Sequence, residues 1–331
     1  AGTVRTLLVA AVTMAVTVTA GAAVIASVPG LPDRSGVDVD GARALAVDPG
    51  AVRWTMVDDP RRAFDRSGTL YPPPALAPKD APAFRGCQVG PGMTEPRDCA
   101  LGATGSDEVV GLVGDSKMGQ WLPAVTNVAR QEGWRVEGFL KASCVFSRTG
   151  VPDECAAHTA NVLERFAEEG APDRVLVSQR IQGSYDRGSN GFPDALAELV
   201  DMGVDVAVVA DNATPGVAAL FTCVELHPDD YGACSFDRAQ GLATSGNDVL
   251  GAAARDLDLP VVDLNDWICP PSAGPCAPAI GGVLVYRQTI EQFQLGMGSA
   301  LSVVLFLSVL LVAFLIVKLF RVDLARARGE G

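Results

Sequence analysis

Hydrophobic positions along this chain fall into three regimes. At both ends they are continuous. Residues 7–28 (LLVAAVTMAVTVTAGAAVIASV) run for 22 residues without a charge, and residues 292–317, ending in LSVVLFLSVLLVAFLIV, carry none either. A helix rises about 1.5 Å per residue, so about 20 apolar residues cross a hydrocarbon layer about 30 Å thick. Both stretches are expected to be transmembrane helices. A signal peptide is the alternative for the first, which is longer than the usual apolar core of such a peptide. Between 107 and 264 the pattern changes to short apolar runs alternating with helically spaced ones. Strands are expected at 109–113, 136–140, 174–178, 204–210 and 260–264, and helices at 117–131, 155–169, 193–202 and 236–257. Such alternation implies an α/β fold in three layers, a parallel sheet covered on both faces, with functional groups at the carboxyl ends of its strands. Between 29 and 84 neither pattern holds. YPPPALAPKDAP (71–82) favours an extended, semi-rigid linker.

The expected organisation is therefore a transmembrane helix at 1–28, a Pro-rich linker at 29–84 and an α/β domain at 85–288. A junction at 289–296, a second transmembrane helix at 297–320 and a basic cytoplasmic tail at 321–331 complete it. Charge sets the orientation. Arg5 precedes the first span, and Lys318, Arg321, Arg326 and Arg328 follow the second. Positive flanks stay in the cytoplasm, so both termini are expected there and the central domain outside it, in a cell membrane. The chain carries −13 overall; residues 1–28 hold +1 and 297–331 hold +2, leaving −16 for the middle. That acidity argues against nucleic acid as a partner, while the spans imply the lipid bilayer. The chain does not begin with Met, and is expected to be the tail of a longer protein.

All eight cysteines lie between the spans: Cys87, Cys99, Cys144, Cys155, Cys223, Cys234, Cys269 and Cys276. Neighbours are 12, 11, 11 and 7 residues apart, and each pair brackets a loop containing Pro, Gly or Asp. Local pairing as disulfides is the simplest reading, and such bonds persist outside the cytoplasm. Spacing alone leaves about 105 connectivities open. No cofactor or metal is expected, since no C-x-x-C occurs and the chain has two histidines.

The first expected strand runs straight into Gly114-Asp115-Ser116-Lys117. This is a strand–turn–helix junction with a serine at its apex. Gly114 permits the tight turn, Asp115 can cap the helix, and Ser116 would sit at the positive helix end. Its backbone N–H can help hold an oxyanion. The same spacing also suits an ordinary capping turn in any α/β protein.

Several ordered blocks carry a resemblance. VVGLVGDSKMGQW (109–121) resembles the first block of SGNH-type hydrolases, more narrowly the SGNH domain fused behind acyltransferase-3 membrane domains. FLKASC (139–144), VDVAVVADNATP (204–215) and VVDLNDWICPPSAGPCAPAIGGVLV (261–285) extend it in order over roughly residues 85–287. The resemblance implies an SGNH/flavodoxin-like fold and an extracytoplasmic O-acyltransferase or esterase. Ser116 would be its nucleophile, with an acyl donor and a cell-envelope glycan acceptor as partners. A separate acyltransferase membrane domain would be a further partner, and the first span would match that domain's last helix. Asp115 and Asn212 are the supporting or oxyanion candidates, although Asn212 also suits a turn.

The sequence departs from the family late. Where the family has Y-R-D-x-x-H, this chain reads Tyr286-Arg287-Gln288-Thr289-Ile290-Glu291. Gln288 stands for the Asp and Glu291 for the His, and Lys117 replaces the usual His after the serine. Glu, with an ordinary pKa near 4.3, is a weak base at neutral pH. Glu291 and His227, in the Cys223–Cys234 loop, are the remaining base candidates. His158 reads as a surface residue of its helix. From Val285 the chain resembles instead the last transmembrane segment of a sugar ABC transporter permease, as a chimeric coding sequence would. Three functional readings follow: an acyltransferase or esterase impaired by the missing Asp and His, a catalytically inactive membrane-anchored module that binds a glycan or partner, and a transporter subunit.

Overall fold

The computed structural model describes residues 86–180, 191–215, 220–280 and 283–284, with Thr19 and short stretches between 41 and 79. The two spans expected at the ends lie outside these residues (Thr19 apart), as do Gln288 and Glu291. Among the described residues no helix is long and apolar enough to cross a membrane. The chain divides into two units, 1–287 and 288–331, and the first of them contains the α/β domain.

Seven strands form its sheet: β1 (Gln88–Val89), β2 (Ala100–Gly102), β3 (Val109–Gly114), β4 (Arg135–Lys141), β5 (Arg174–Ser178), β6 (Asp205–Val209) and β7 (Val261–Val262). Their order is β1-β4-β3-β5-β6-β7, all parallel, and β2 lies antiparallel along the amino-terminal half of β4. Every residue of β3 is buried, as a central strand with both faces covered requires. That is why VVGLVG is a continuous apolar run. β7 is shorter than the expected 260–264, and both its valines are exposed at the sheet edge. A hairpin of β8 (Ala279–Ile280) and β9 (Val283–Leu284) stands apart from the sheet.

The helices are α1 (Ser116–Gly119), α2 (Leu122–Glu132), α3 (Asp153–Glu169), α4 (Phe192–Asp201), α5 (Leu220–Leu226), α6 (Arg238–Ala243), α7 (Asn247–Asp256) and α8 (Asn265–Ile268). Two differ from expectation. The helix expected over 117–131 breaks at Gln120 and Trp121, and α2 restarts with Pro123 in its first turn, where a missing N–H costs nothing. The helix expected over 236–257 divides at Gly246, whose φ of +85° no helix can hold.

Strand residues Val113, Phe139, Val175, Val177, Val206 and Val208 share one buried cluster with Val162, Leu163 and Phe166 of α3, Leu196 and Leu199 of α4 and Leu250 of α7. Phe139 and Phe166 meet edge to face, 4.7 Å between ring centres. Val110, Leu112, Val136 and Leu140 alternate with these residues along the strands and are buried too, so both sheet faces are covered. Helix α2 packs against β2 and β4. The α3 stripe Cys155, His158, Thr159, Val162, Leu163, Phe166 is buried at helical spacing. His158 is thus an interior residue and not the surface residue expected. Its Nδ1 lies 2.8 Å from the Thr94 carbonyl oxygen, and burial lowers its pKa.

The cysteines pair as neighbours: Cys87–Cys99, Cys144–Cys155, Cys223–Cys234 and Cys269–Cys276. The first bond does more than close a local loop. Its two ends flank β1 and β2, and it lies over Gly138 of β4, where an added Cβ would stand 2.7 Å from Cys87 Cβ. Lys141, buried at the end of β4, braces the same loop through the Gly90 carbonyl (2.8 Å) and Glu154 (3.0 Å). Part of the expected linker also packs. Leu45, Ala63 and Phe64 are buried with Ala277, and Leu70 lies against the cluster around Tyr231, Cys234 and Cys269. These few apolar side chains gain from that burial.

Candidate active site

The parallel strands β3, β5 and β6 end side by side, and their carboxyl ends converge on one turn. β3 ends at Gly114 with φ +137°, in contact with the Ser178 carbonyl at the end of β5. No side chain fits between those backbones. Asp115 follows, fully buried. Its Oδ1 accepts the Lys117 N–H (2.8 Å), capping α1 as expected, and its Oδ2 accepts the Arg180 N–H (3.2 Å). One carboxylate therefore ties the serine turn to the chain leaving β5. Ser116 opens α1, half-buried at the carboxyl edge of the sheet. Because α1 is a single turn, its dipole at Ser116 is smaller than that of the long helix expected.

Burial raises the Asp115 carboxyl to about 7, against the two peptide N–H bonds that favour its charged form; the neighbouring Asp211 raises it further. The folded state thus binds a proton that the unfolded chain releases near pH 4. Stability from this group is present below about pH 4 and is lost as pH rises towards 7. We expect Asp115→Asn to flatten the pH dependence of unfolding between pH 4.5 and 7.5 by about 1–4 kcal/mol relative to the parent chain. Urea melts across that range measure it, and parallel curves for the two proteins would refute it.

Opposite the turn, Asp211 lies two residues past the end of β6, with no exposed side-chain area. Its Oδ1 accepts the Lys117 ammonium (3.1 Å) and the Asn212 N–H (2.8 Å). Burial pushes its pKa up, and Lys117 opposes that shift. Arg180 stands near both carboxylates; desolvation lowers its pKa and the two acids oppose the change. The edge is therefore a cluster of two buried carboxylates and two cations around one serine. Asp211 and Arg180 are the site residues that sequence reasoning passed over, and Lys117 was noted only as the residue in place of the family's His. The signal for Asp211 was its place after VDVAVVA, immediately before Asn212.

The other candidates fare differently. The Asn212 peptide N–H donates to the side chain of the preceding Asp211. His227 is exposed, and its Nδ1 lies 2.8 Å from the Cys223 carbonyl and 3.9 Å from each sulfur of the Cys223–Cys234 bond. Cys223, His227 and Cys234 bring three ligand atoms within 4.8 Å of one another, but oxidised sulfurs offer a metal no thiolate. No contact joins His227 to the serine turn among the described bonds. Glu291 lies outside the described residues.

Residues 86–289 match the family described as SGNH domain, fused to AT3 domains. The chain belongs to that family. The match to the SGNH domain stops two residues before Glu291, close to where the sequence turns from the family pattern. Among solved structures, a GDSL-like lipase from Bacteroides thetaiotaomicron VPI-5482 is similar at 12% identity, over 54% of this chain and 81% of that one, with a TM-score of 0.32. A protein from Bacteroides fragilis NCTC 9343, described as a candidate acylhydrolase, is similar at 17% identity, over 55% and 80% of the two chains, with a TM-score of 0.31. No curated protein matches the chain. The SGNH domain here has the parallel sheet and the serine junction that its sequence blocks imply.

Proposed function

We propose that this chain is an extracytoplasmic SGNH-type O-acyltransferase or esterase acting on cell-envelope glycans, with Ser116 as nucleophile and a turnover well below that of a full triad. The observation that carries the reading is the Ser116 turn. A half-buried serine stands at the carboxyl end of the central strand, held by a capped turn that only a glycine at 114 allows. Nucleophile junctions in acyl-transfer enzymes need that placement, with a serine exposed where backbone N–H groups and a base can reach the same acyl group. Four disulfides among the described cysteines fit an oxidising compartment. The reduced rate follows from Gln288 and Glu291, which offer neither the orienting acid nor the imidazole of the family motif.

A second reading, a glycan-binding or partner-binding module without turnover, is favoured by Lys117. That ammonium occupies the position after the serine and is held in an ion pair. One experiment separates the two. The purified, oxidised full chain is treated with a fluorophosphonate probe and assayed for hydrolysis of an acetyl ester. Labelling at Ser116, with both signals lost in Ser116→Ala, supports acyl transfer. A chain that neither labels nor hydrolyses, or a Ser116→Ala variant that matches its parent, leaves only the binding reading.

A further inference from the structure

Asp211 is held from several sides. Its peptide N–H donates to Asn247 Oδ1 (2.7 Å), and its carbonyl accepts Asn247 Nδ2 (2.8 Å) and Asn265 Nδ2 (3.0 Å). Asn265 is set in turn by Asp263 Oδ1, which accepts both its peptide N–H and its Nδ2 at 2.8 Å. Asn265 Oδ1 also accepts the Ala213 N–H at 2.9 Å. The starts of α7 and α8 thus hold both peptide groups that flank the Asp211 side chain, just past the end of β6.

What this framework presents is a carboxylate with no exposed side-chain area, paired through Oδ1 with Lys117, which keeps 21% of its own exposure. Oδ2 has no hydrogen-bond partner among the described residues. For folding alone this is a poor arrangement, because well-packed apolar residues in place of a buried ion pair are often neutral or stabilising. Its position argues for a role at the serine. Lys117 follows Ser116 directly, and of the two paired side chains only that of Lys117 reaches solvent.

We propose that Asp211 is a positioning residue that holds the Lys117 ammonium beside the Ser116 turn, where Lys117 stabilises the negative oxygen formed as Ser116 attacks an ester. This assignment rests on the acyl-transfer reading of Ser116. In the step, Ser116 Oγ bonds to the acyl carbon, the C=O π pair moves onto the carbonyl oxygen, and the hydroxyl proton passes to water. Collapse expels the alcohol oxygen with its bonding pair, and that oxygen takes a proton back from hydronium. The Lys117 ammonium takes no part in the proton transfer and supplies charge to the oxygen that needs it. Asp115 cannot take this part, since peptide N–H groups hold both its oxygens.

The test is the second-order rate of fluorophosphonate labelling at Ser116 in the full chain, read beside the thermal melting of each variant. Lys117→Gln is expected to slow labelling about tenfold or more, whereas Lys117→Arg, which keeps the charge, stays within about threefold of the parent. Asp211→Asn is expected to slow labelling to a similar degree, and Lys117→Gln with Asp211→Asn no further than either alone, because both act through one cation. Should Asp211→Asn fail to fold, the Gln and Arg pair at 117 still decides. Equal labelling by Lys117→Gln and Lys117→Arg, or variants that lose only melting temperature, would overturn the assignment while Ser116 remained the nucleophile. A parent chain that does not label overturns the acyl-transfer reading and this assignment with it.

Discussion

Replacing Gln288 by Asp and Glu291 by His together is expected to raise acetyl-ester turnover about 10²- to 10⁴-fold over the parent chain. Proton affinity decides the gain. Serine attacks an ester far faster when a neighbouring base takes its proton than when water must, and an imidazole titrating near 6.5 does so at neutral pH far better than a carboxylate near 4.3. Tyr286 and Arg287, which open the family motif, are retained, so the substitutions supply the missing pair at the family's own spacing. Glu291→His alone should gain less, because the acid that fixes the imidazole's tautomer would still be missing. Ser116→Ala added to the double variant should return the rate to background. Steady-state kcat/KM on one acetyl ester settles each comparison. A double variant no faster than its parent would show that residues 288–291 do not serve as the family's acid and base in this chain.

The central sheet was legible because β3, β5 and β6 are buried on both faces, which writes itself as VVGLVG, RVLVS and DVAVV. The Ser116 junction was legible for a related reason: a glycine, a capping Asp and a serine follow the strongest strand without a gap. Short edge strands left no such trace. β1 has two residues and β2 has three, too few for any period, so the Cys87–Cys99 segment did not read as part of the sheet. The helix breaks were marked by Pro123 and by Ser245-Gly246-Asn247, but the apolar spacing on either side outweighed them. Asp211 was hidden for a different reason. Its meaning lies in partners far along the chain, Lys117, Asn247 and Asn265, and no local pattern announces a tertiary ion pair. Asn212, the residue beside it, drew notice as a candidate oxyanion donor at a strand end, although Asn there is also a turn signal.

Gly114→Ala is expected to abolish stable folding of the domain, a loss of more than about 3 kcal/mol. Two independent costs coincide at this position. With φ at +137°, an L side chain is strained whatever space surrounds it. In addition, the new Cβ would run into the Ser178 carbonyl, which belongs to the backbone of β5 and cannot rotate away. Gly133, the C-cap of α2, separates the two effects. Its φ is +81°, but nothing lies within 4 Å of an added Cβ there. Gly133→Ala should therefore cost only the conformational part, about 1 kcal/mol, and leave the protein folded. Circular dichroism and urea melts of the two variants measure the contrast. A Gly114→Ala protein as stable as Gly133→Ala would mean that β3 and β5 do not meet as closely as described. The serine turn would then be free to sit elsewhere, and the placement of Ser116 at the meeting point of three strand ends would fall with it.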